Sequence, residues 1–390
     1  MVTLFEFLGN EPIENVVTCM NFKVDKVVFF GYQNTINRLC KSHTRFLKSY
    51  CGVSEVIFST LPGDDLQTIL SVMRHDIDRE LASGSKIYFD ITGGEDLILV
   101  AFGMLSSQYN TPMHRHDIVN NIHIELDEGA KGCMSEDVPK QTVFFNIDRL
   151  IELRDGKINY GLQKSEKDTS NTELEEDVAK LWEFESSHAS KWNIFSEYLR
   201  TLGTDSSGLG VSCRITSFRS KILKMKNDKL PLELDVFAHM LDELADKGIL
   251  THYSRSDSSF NFKYKNRDVK ECIWMSGNPL EWHVYTSERD LRDDARLGIH
   301  FDWDGEIIPG TPDVDNEIDV VSLTGLIPTF ISCKGGKMGK NEALNAFYEL
   351  NTVADRFGGK YSKRILAVVN RPGEVQQKRA DELGISIQVF

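Results

Sequence analysis

Short runs rich in β-branched and aromatic residues alternate with amphipathic stretches through the first third of the chain, at residues 4–8, 26–30, 55–58, 86–91 and 121–126. Such compact apolar runs read as strands of a parallel sheet, and the stretches between them as its crossover helices. The segment 66–81 illustrates the second kind. Pro62-Gly63-Asp64-Asp65 opens it, and Leu66, Ile69, Leu70, Met73 and Ile77 form one apolar stripe. The pattern predicts an α/β, Rossmann-like first domain over residues 1–163. The apolar period is lost across the polar stretch 164–173, which is expected to be a linker.

Helical periodicity returns at 174–182 and 234–247. In the second, Phe237, Met240, Leu241 and Leu244 fall at i, i+3, i+4 and i+7, and Gly248 suits the C′ position. Residues 249–253, a polar turn at 255–259 and the alternating 260–265 then predict a hairpin. Helix followed by hairpin gives a winged-helix-like section over 164–269, whose Lys263, Lys265 and Arg267 either meet phosphates or simply keep that face solvated. The last section, 270–390, is predicted as a helix at 279–291, strands at 298–301, 318–323 and 329–333, and a helix at 342–357. A strand at 364–370, a helix after Pro372 and a strand at 385–390 complete it.

Composition narrows the class. At 390 residues, with 41% hydrophobic and 27% charged positions, the chain is globular and long enough for two or three cores. Its 45 basic against 59 acidic residues give a formal charge of −14, so any nucleic acid must be met at local basic surfaces. Seven scattered cysteines without a CxxC pair argue against a disulfide framework or zinc site and for a reducing compartment. The N-terminus has no signal-peptide pattern and no stretch approaches membrane-spanning length. A soluble cytoplasmic protein with no membrane partner is expected.

Candidate chemistry sits near the C-terminus. Glu317 and Asp319 lie two apart on one expected strand, and Ser332 and Lys334 two apart on the next, with a turn at Thr324-Gly325 between. Paired as a hairpin, these strands bring two carboxylates and an ammonium to one small volume. Hard divalent cations take oxygen ligands, and a lysine beside them orients water or stabilises a pentavalent phosphate. The arrangement resembles the PD-(D/E)xK nuclease superfamily. That resemblance implies Asp319 and Glu281 as ligands of Mn²⁺ or Mg²⁺ and Lys334 as the catalytic lysine. Ser332 departs from the pattern, which has an acid two residues before the lysine; Glu317, Glu281 or the Cys333 backbone carbonyl would have to replace it. Lys337 and Lys340 add positive charge beside the site, and Glu342, Tyr348 and Glu349 on the next helix are weaker candidates.

A second constellation lies at the other end. Strand 86–91 runs into Thr92-Gly93-Gly94 and an apolar helix at 97–105, exposing amides at the positive end of a helix dipole, which suits a phosphate. No GxGxxG follows the first strand and no Walker A motif is present, which disfavours a dinucleotide oxidoreductase. His114-Arg115-His116 is assigned no role. The Asp-Ile-Thr-Gly-Gly turn after a fourth strand resembles the CARF domains, which bind cyclic oligoadenylates made by type III CRISPR complexes. The segment after the first strand resembles their ligand loop. The resemblance implies ligand contacts from Gly9, Asn10, Glu11, Pro12, Asn34, Thr35, Thr92, Gly93 and Gly94, with Arg38 nearby; Glu95-Asp96 stand where family members often have Thr-Lys.

A CARF-like start joined to a PD-(D/E)xK-like end resembles the CRISPR ancillary nucleases activated by cyclic tetra-adenylate. What that implies is a homodimer sharing one ring-shaped activator and a metal-dependent endonuclease acting on single- or double-stranded DNA, RNA or both in antiviral defence. The competing reading is a ligand-responsive nucleic-acid-binding regulator whose nuclease domain no longer cuts.

Overall fold

The computed structural model describes residues 1–63, 65–126, 132–161, 172–225, 232–275, 277–307, 315–336 and 338–390. Lys337 and most of the polar stretch 164–173 lie outside these residues; the end of that stretch is already helical, in the helix Thr172–Ser187.

The N-terminal sheet contains β1 (Val2–Phe7), β2 (Lys26–Gly31), β3 (Glu55–Thr60), β4 (Lys86–Asp90), β5 (Met113–Asp117) and β6 (Ile122–Glu125), in the order β3-β2-β1-β4-β5-β6. All neighbours are parallel except the β5–β6 pair. The helix Gln33–Tyr50 covers one face, over Leu4, Phe29 and Tyr88, and the helices Leu66–Ala82 and Asp96–Tyr109 cover the other, over Phe5, Phe30 and Phe89. Crossovers thus change face between β1 and β4. In open α/β sheets a ligand crevice forms at the strand ends where that happens. β5 was not expected as a strand, because its sequence Met-His-Arg-His-Asp lacks apolar alternation. His114 and His116 nevertheless point inward and are buried.

The middle section packs the helices Thr172–Ser187, Trp192–Leu202, Ile215–Met225 and Leu234–Asp246 around an aromatic core that includes Trp192, Phe195, Phe218 and Phe237. The expected hairpin forms, as β9 (Leu250–Ser256) and β10 (Ser259–Tyr264), and a further strand, β8 (Gly210–Arg214), pairs with β10. The basic residues proposed for phosphate contact fare differently. Lys265 is held by Asp177 and Glu173 at 2.8 and 3.0 Å, Arg267 pairs with Glu271 at 3.2 Å, and Lys263 is exposed. The two carboxylates on Lys265 satisfy its charge within the fold, so phosphate contact there is not favoured.

The C-terminal sheet is ordered β15-β14-β13-β12-β11-β7. It comprises β7 (Lys157–Ile158), β11 (Asp294–Asp302), β12 (Asp315–Thr324), β13 (Ile327–Lys334), β14 (Lys363–Val368) and β15 (Ile385–Val389). β11 to β13 form an antiparallel meander; β13, β14 and β15 are parallel, crossed over by the helices Lys340–Phe357 and Glu374–Glu382. The edge strand comes from the N-terminal section. Ile158 of β7 faces Phe301 of β11, and Ile147, Leu150 and Ile151 of the helix Ile147–Leu153 pack into the same core as Phe301, Phe347 and Phe357. Among the described residues no helix is long and apolar enough to cross a membrane.

Candidate functional site

The C-terminal candidates begin with a fault in a strand pair. β11 and β12 keep one register, Leu297 opposite Val320 and Ile299 opposite Ile318, but skip the position of Gly298 and Asp319. Gly298 has φ of 58°, a conformation side chains rarely tolerate. Side-chain alternation breaks there. Ile318 joins the core of Ile299 and Phe330, whereas Val320, two residues on, joins that of Leu297 and Ile331 on the opposite face.

Asp319 is therefore released from simple alternation and turns to the neighbouring strand. Its Oδ2 accepts from the Cys333 backbone N–H at 2.6 Å and from the Ser332 hydroxyl at 3.2 Å. Backbone pairing of β12 with β13 ends one position earlier, at Val320 and Ile331. The carboxylate thus replaces a ladder bond where the hairpin parts. A residue's N–H and C=O leave a strand on the same side, so the Cys333 carbonyl lies on the Asp319 side. Lys334 follows on the other side of β13, its carbonyl accepting from Val369.

The remaining acids are held differently. Glu317 is engaged by His300 across the β11–β12 pair, at 3.9 Å. Glu281 is buried in the first turn of the helix Asn278–Leu291. Its electrostatic neighbour is Glu185 on the helix Thr172–Ser187. Glu185 is fully buried, neither carboxylate oxygen has a hydrogen-bond partner, and burial, followed by the Glu281 charge, pushes its carboxyl up to about 9. Sequence reasoning missed this residue, although a signal was present. Glu185 continues the stripe Leu174, Val178, Leu181, placing an acid where the helix expects an apolar side chain. Glu342 accepts from the Gly339 N–H at the start of its own helix and Tyr348 accepts from Arg379, which gives both structural employment.

Among the described residues no three His, Cys, Asp or Glu side chains gather into a group able to hold a metal ion. Magnesium-type ions keep several waters and take only one or two protein carboxylates, all oxygen donors. Asp319 with the adjacent main-chain carbonyl is a donor set of that kind.

The N-terminal candidates line a pocket of about 290 Å³ at the switch point, formed in part by Gly9, Asn10, Glu11, Thr35 and Gly94. Asn15 shapes its loop: its side chain accepts from the Gly9 N–H and donates to the Gly9 carbonyl, at 3.1 and 3.0 Å. The same side chain meets His43 at 3.0 Å, and burial lowers His43 to about 4, leaving a neutral imidazole there. Pro12, Asn34, Thr92 and Gly93 are not among the residues lining the pocket. Thr92 is used within the turn: its N–H donates to Asp90 at 2.6 Å and its hydroxyl accepts from the His116 N–H. Gly93 allows Glu14 to pack close, since a Cβ there would stand 3.0 Å from a Glu14 carboxylate oxygen. Glu14 and Glu95, from the expected ligand loop and Gly-Gly turn, also line the pocket, as do Tyr32 and Lys360, which were not foreseen.

A Rossmann-like sheet with a crevice at its switch point, followed by a mixed sheet with a carboxylate at a parting hairpin, defines an α/β domain with a ligand-sized pocket joined to an endonuclease-type one. The sequence agrees at the C-terminal end. Residues 268–389 match the family described as Card1-like, endonuclease domain, and the chain carries such a domain. No curated protein matches the chain. The fold of the whole chain is similar to that of protein VC1899 from Vibrio cholerae, at 15% identity and a TM-score of 0.68, covering 99% of this chain and 93% of that one. It is likewise similar to that of Can2 from Sulfobacillus thermosulfidooxidans, solved in complex with cyclic tetra-adenylate, at 13% identity and a TM-score of 0.66, again covering 99% and 93%.

Proposed function

We propose that this protein is a metal-dependent nuclease of the type III CRISPR ancillary class, switched on by cyclic tetra-adenylate bound at the N-terminal pocket. The observation that carries the reading is the Asp319 carboxylate at the parting of the β12–β13 hairpin, beside Ser332, Cys333 and Lys334, inside the segment that matches an endonuclease-domain family. In this reading the N-terminal domain is a CARF-like sensor, the middle section a winged-helix-like connector, and the C-terminal domain a PD-(D/E)xK-like nuclease. Asp319 and the Cys333 carbonyl would hold Mg²⁺ or Mn²⁺, with Glu281 on the helix Asn278–Leu291 as a further carboxylate. A bound cation supplies Lewis acidity to the scissile phosphate and lowers the pKa of an attacking water. Lys334, at the end of β13, orients that water and balances charge on the phosphate. DNA and RNA both present the required phosphodiester.

The decisive assay incubates the protein with single-stranded DNA, single-stranded RNA and supercoiled plasmid, with Mn²⁺ or Mg²⁺, with and without cyclic tetra-adenylate. Cleavage that needs both metal and activator is expected. Intact substrate in every lane favours the second reading, a non-cutting nucleic-acid-binding regulator. The observation behind that reading is Ser332: it donates to Asp319 from the position where the superfamily pattern has a metal-binding acid.

The proposal includes a homodimer. Leu97, Val100 and Met104 are exposed along one side of the helix Asp96–Tyr109, which starts at the pocket-lining residues Gly94 and Glu95. Apolar side chains at i, i+3 and i+7 on an exposed helix make a strip suited to its own copy across a dyad. Val100→Glu with Met104→Glu is expected to convert dimer to monomer in light scattering and to remove activation by the ring. A dimer that persists would exclude this surface.

A further inference from the structure

Lys360 belongs to the endonuclease domain by sequence and to the sensor pocket by position. It sits in the turn Gly359–Tyr361, between the helix Lys340–Phe357 and β14, yet it lines the pocket at the switch point of the N-terminal sheet. Three of the pocket's lining residues are acids, Glu11, Glu14 and Glu95, and Lys360 is the one base among the described lining residues. Its ammonium is 2.6 Å from a Glu14 carboxylate oxygen that also accepts from the Tyr361 hydroxyl at 2.5 Å. Its backbone N–H donates to Glu11 at 3.0 Å, and the other Glu11 oxygen is paired with Arg154. The turn fits tightly: Gly359 has φ of 65°, and a Cβ there would collide with Arg154 and Glu11.

A polyanionic ring entering this pocket meets buried carboxylates. The Arg154 guanidinium answers Glu11, and Lys360 answers Glu14. An ammonium has three donors, and Glu14 engages one side of this half-exposed side chain. We infer that Lys360 is a phosphodiester-binding residue of the sensor pocket, supplied by the endonuclease domain. Its remaining donors take a phosphate oxygen of the ring while it neutralises Glu14. The inference rests on the proposed reading of the pocket as a cyclic oligoadenylate site and names its regulation. The turn leads into β14, whose Val368 lies opposite Lys334 of β13.

The test is titration of cyclic tetra-adenylate into the full-length protein by calorimetry, alongside the activator concentration that gives half-maximal cleavage. Lys360→Ala is expected to weaken binding about ten-fold or more, since it removes a charge-assisted contact and leaves Glu14 unneutralised. Lys360→Arg is expected to retain most of the affinity. Adding Glu14→Gln to Lys360→Ala is expected to recover part of the loss, because the uncompensated carboxylate is gone; a merely structural lysine would give no such recovery. Wild-type binding that Lys360→Ala leaves unchanged overturns this inference alone. No binding to the wild-type chain overturns the sensor reading and the inference with it.

Discussion

Asp319→Asn is expected to lower the proposed metal-dependent cleavage on the order of 10²-fold or more, while binding of cyclic tetra-adenylate and the melting temperature should change little. The asparagine carbonyl still accepts from the Cys333 N–H and the Ser332 hydroxyl, the two bonds that fasten the parting hairpin. What it loses is the negative charge that a hard cation requires. Preorganised electrostatic stabilisation of a developing charge is commonly worth this much. Lys334→Ala should fall to a similar level with intact activator binding, as its side chain takes no part in the hairpin bonds of Asp319. Asp319→Ala is the less informative variant, because it also strips the Cys333 N–H of its acceptor. Cleavage that survived in both Asp319→Asn and Lys334→Ala would remove this site from the reaction.

The second large effect concerns Glu185 and is read in metal-free buffer. Burial raises its folded-state value from 4.5 to about 9, so between those limits the folded chain holds a proton that the unfolded chain has released. Stability then falls as pH rises, by up to about 1.4 kcal/mol per unit for one proton. Glu185→Gln keeps the shape and stays neutral at every pH. Its melting temperature should exceed that of wild type at pH 8, with the gap closing towards pH 5. Parallel pH profiles for the two proteins would show that Glu185 ionises normally. The contrast also bears on activation by metal: a cation that reached the Glu185–Glu281 pair would release the proton and flatten the wild-type profile.

Where burial is two-sided and apolar, the sequence was legible. β1, β2 and β4 announce themselves as short runs rich in β-branched and aromatic residues, and the stripe of the helix Leu66–Ala82 matches its observed core residues Ile69, Leu70, Met73 and Ile77. The β12–β13 hairpin and its turn at Thr324-Gly325 were equally plain. The failures have specific causes. β5 hides because its inward positions are His114 and His116. The two-residue rule for β12 cannot be carried through Asp319, because Gly298, on a different strand, lets the alternation break. Lys360 was invisible as a pocket residue because its partner Glu11 is 349 positions away. Glu185, by contrast, was readable from its helix and was passed over because acids are seldom sought on an apolar stripe.

The edge strand β7 carries an implication for how such proteins can be recombined. The residues that finish the endonuclease sheet, Ile158 of β7 together with Ile147, Leu150 and Ile151, precede the middle section in the chain, while the matched endonuclease segment begins at 268. A fragment cut at 268 would leave the outer edge of β11 bare, a ready template for pairing with other chains. Its core would also lack four buried side chains. A graft that exchanges sensors between related proteins therefore keeps a working effector only if residues 147–158 travel with the effector, so the heritable module here is discontinuous in the gene although continuous in space.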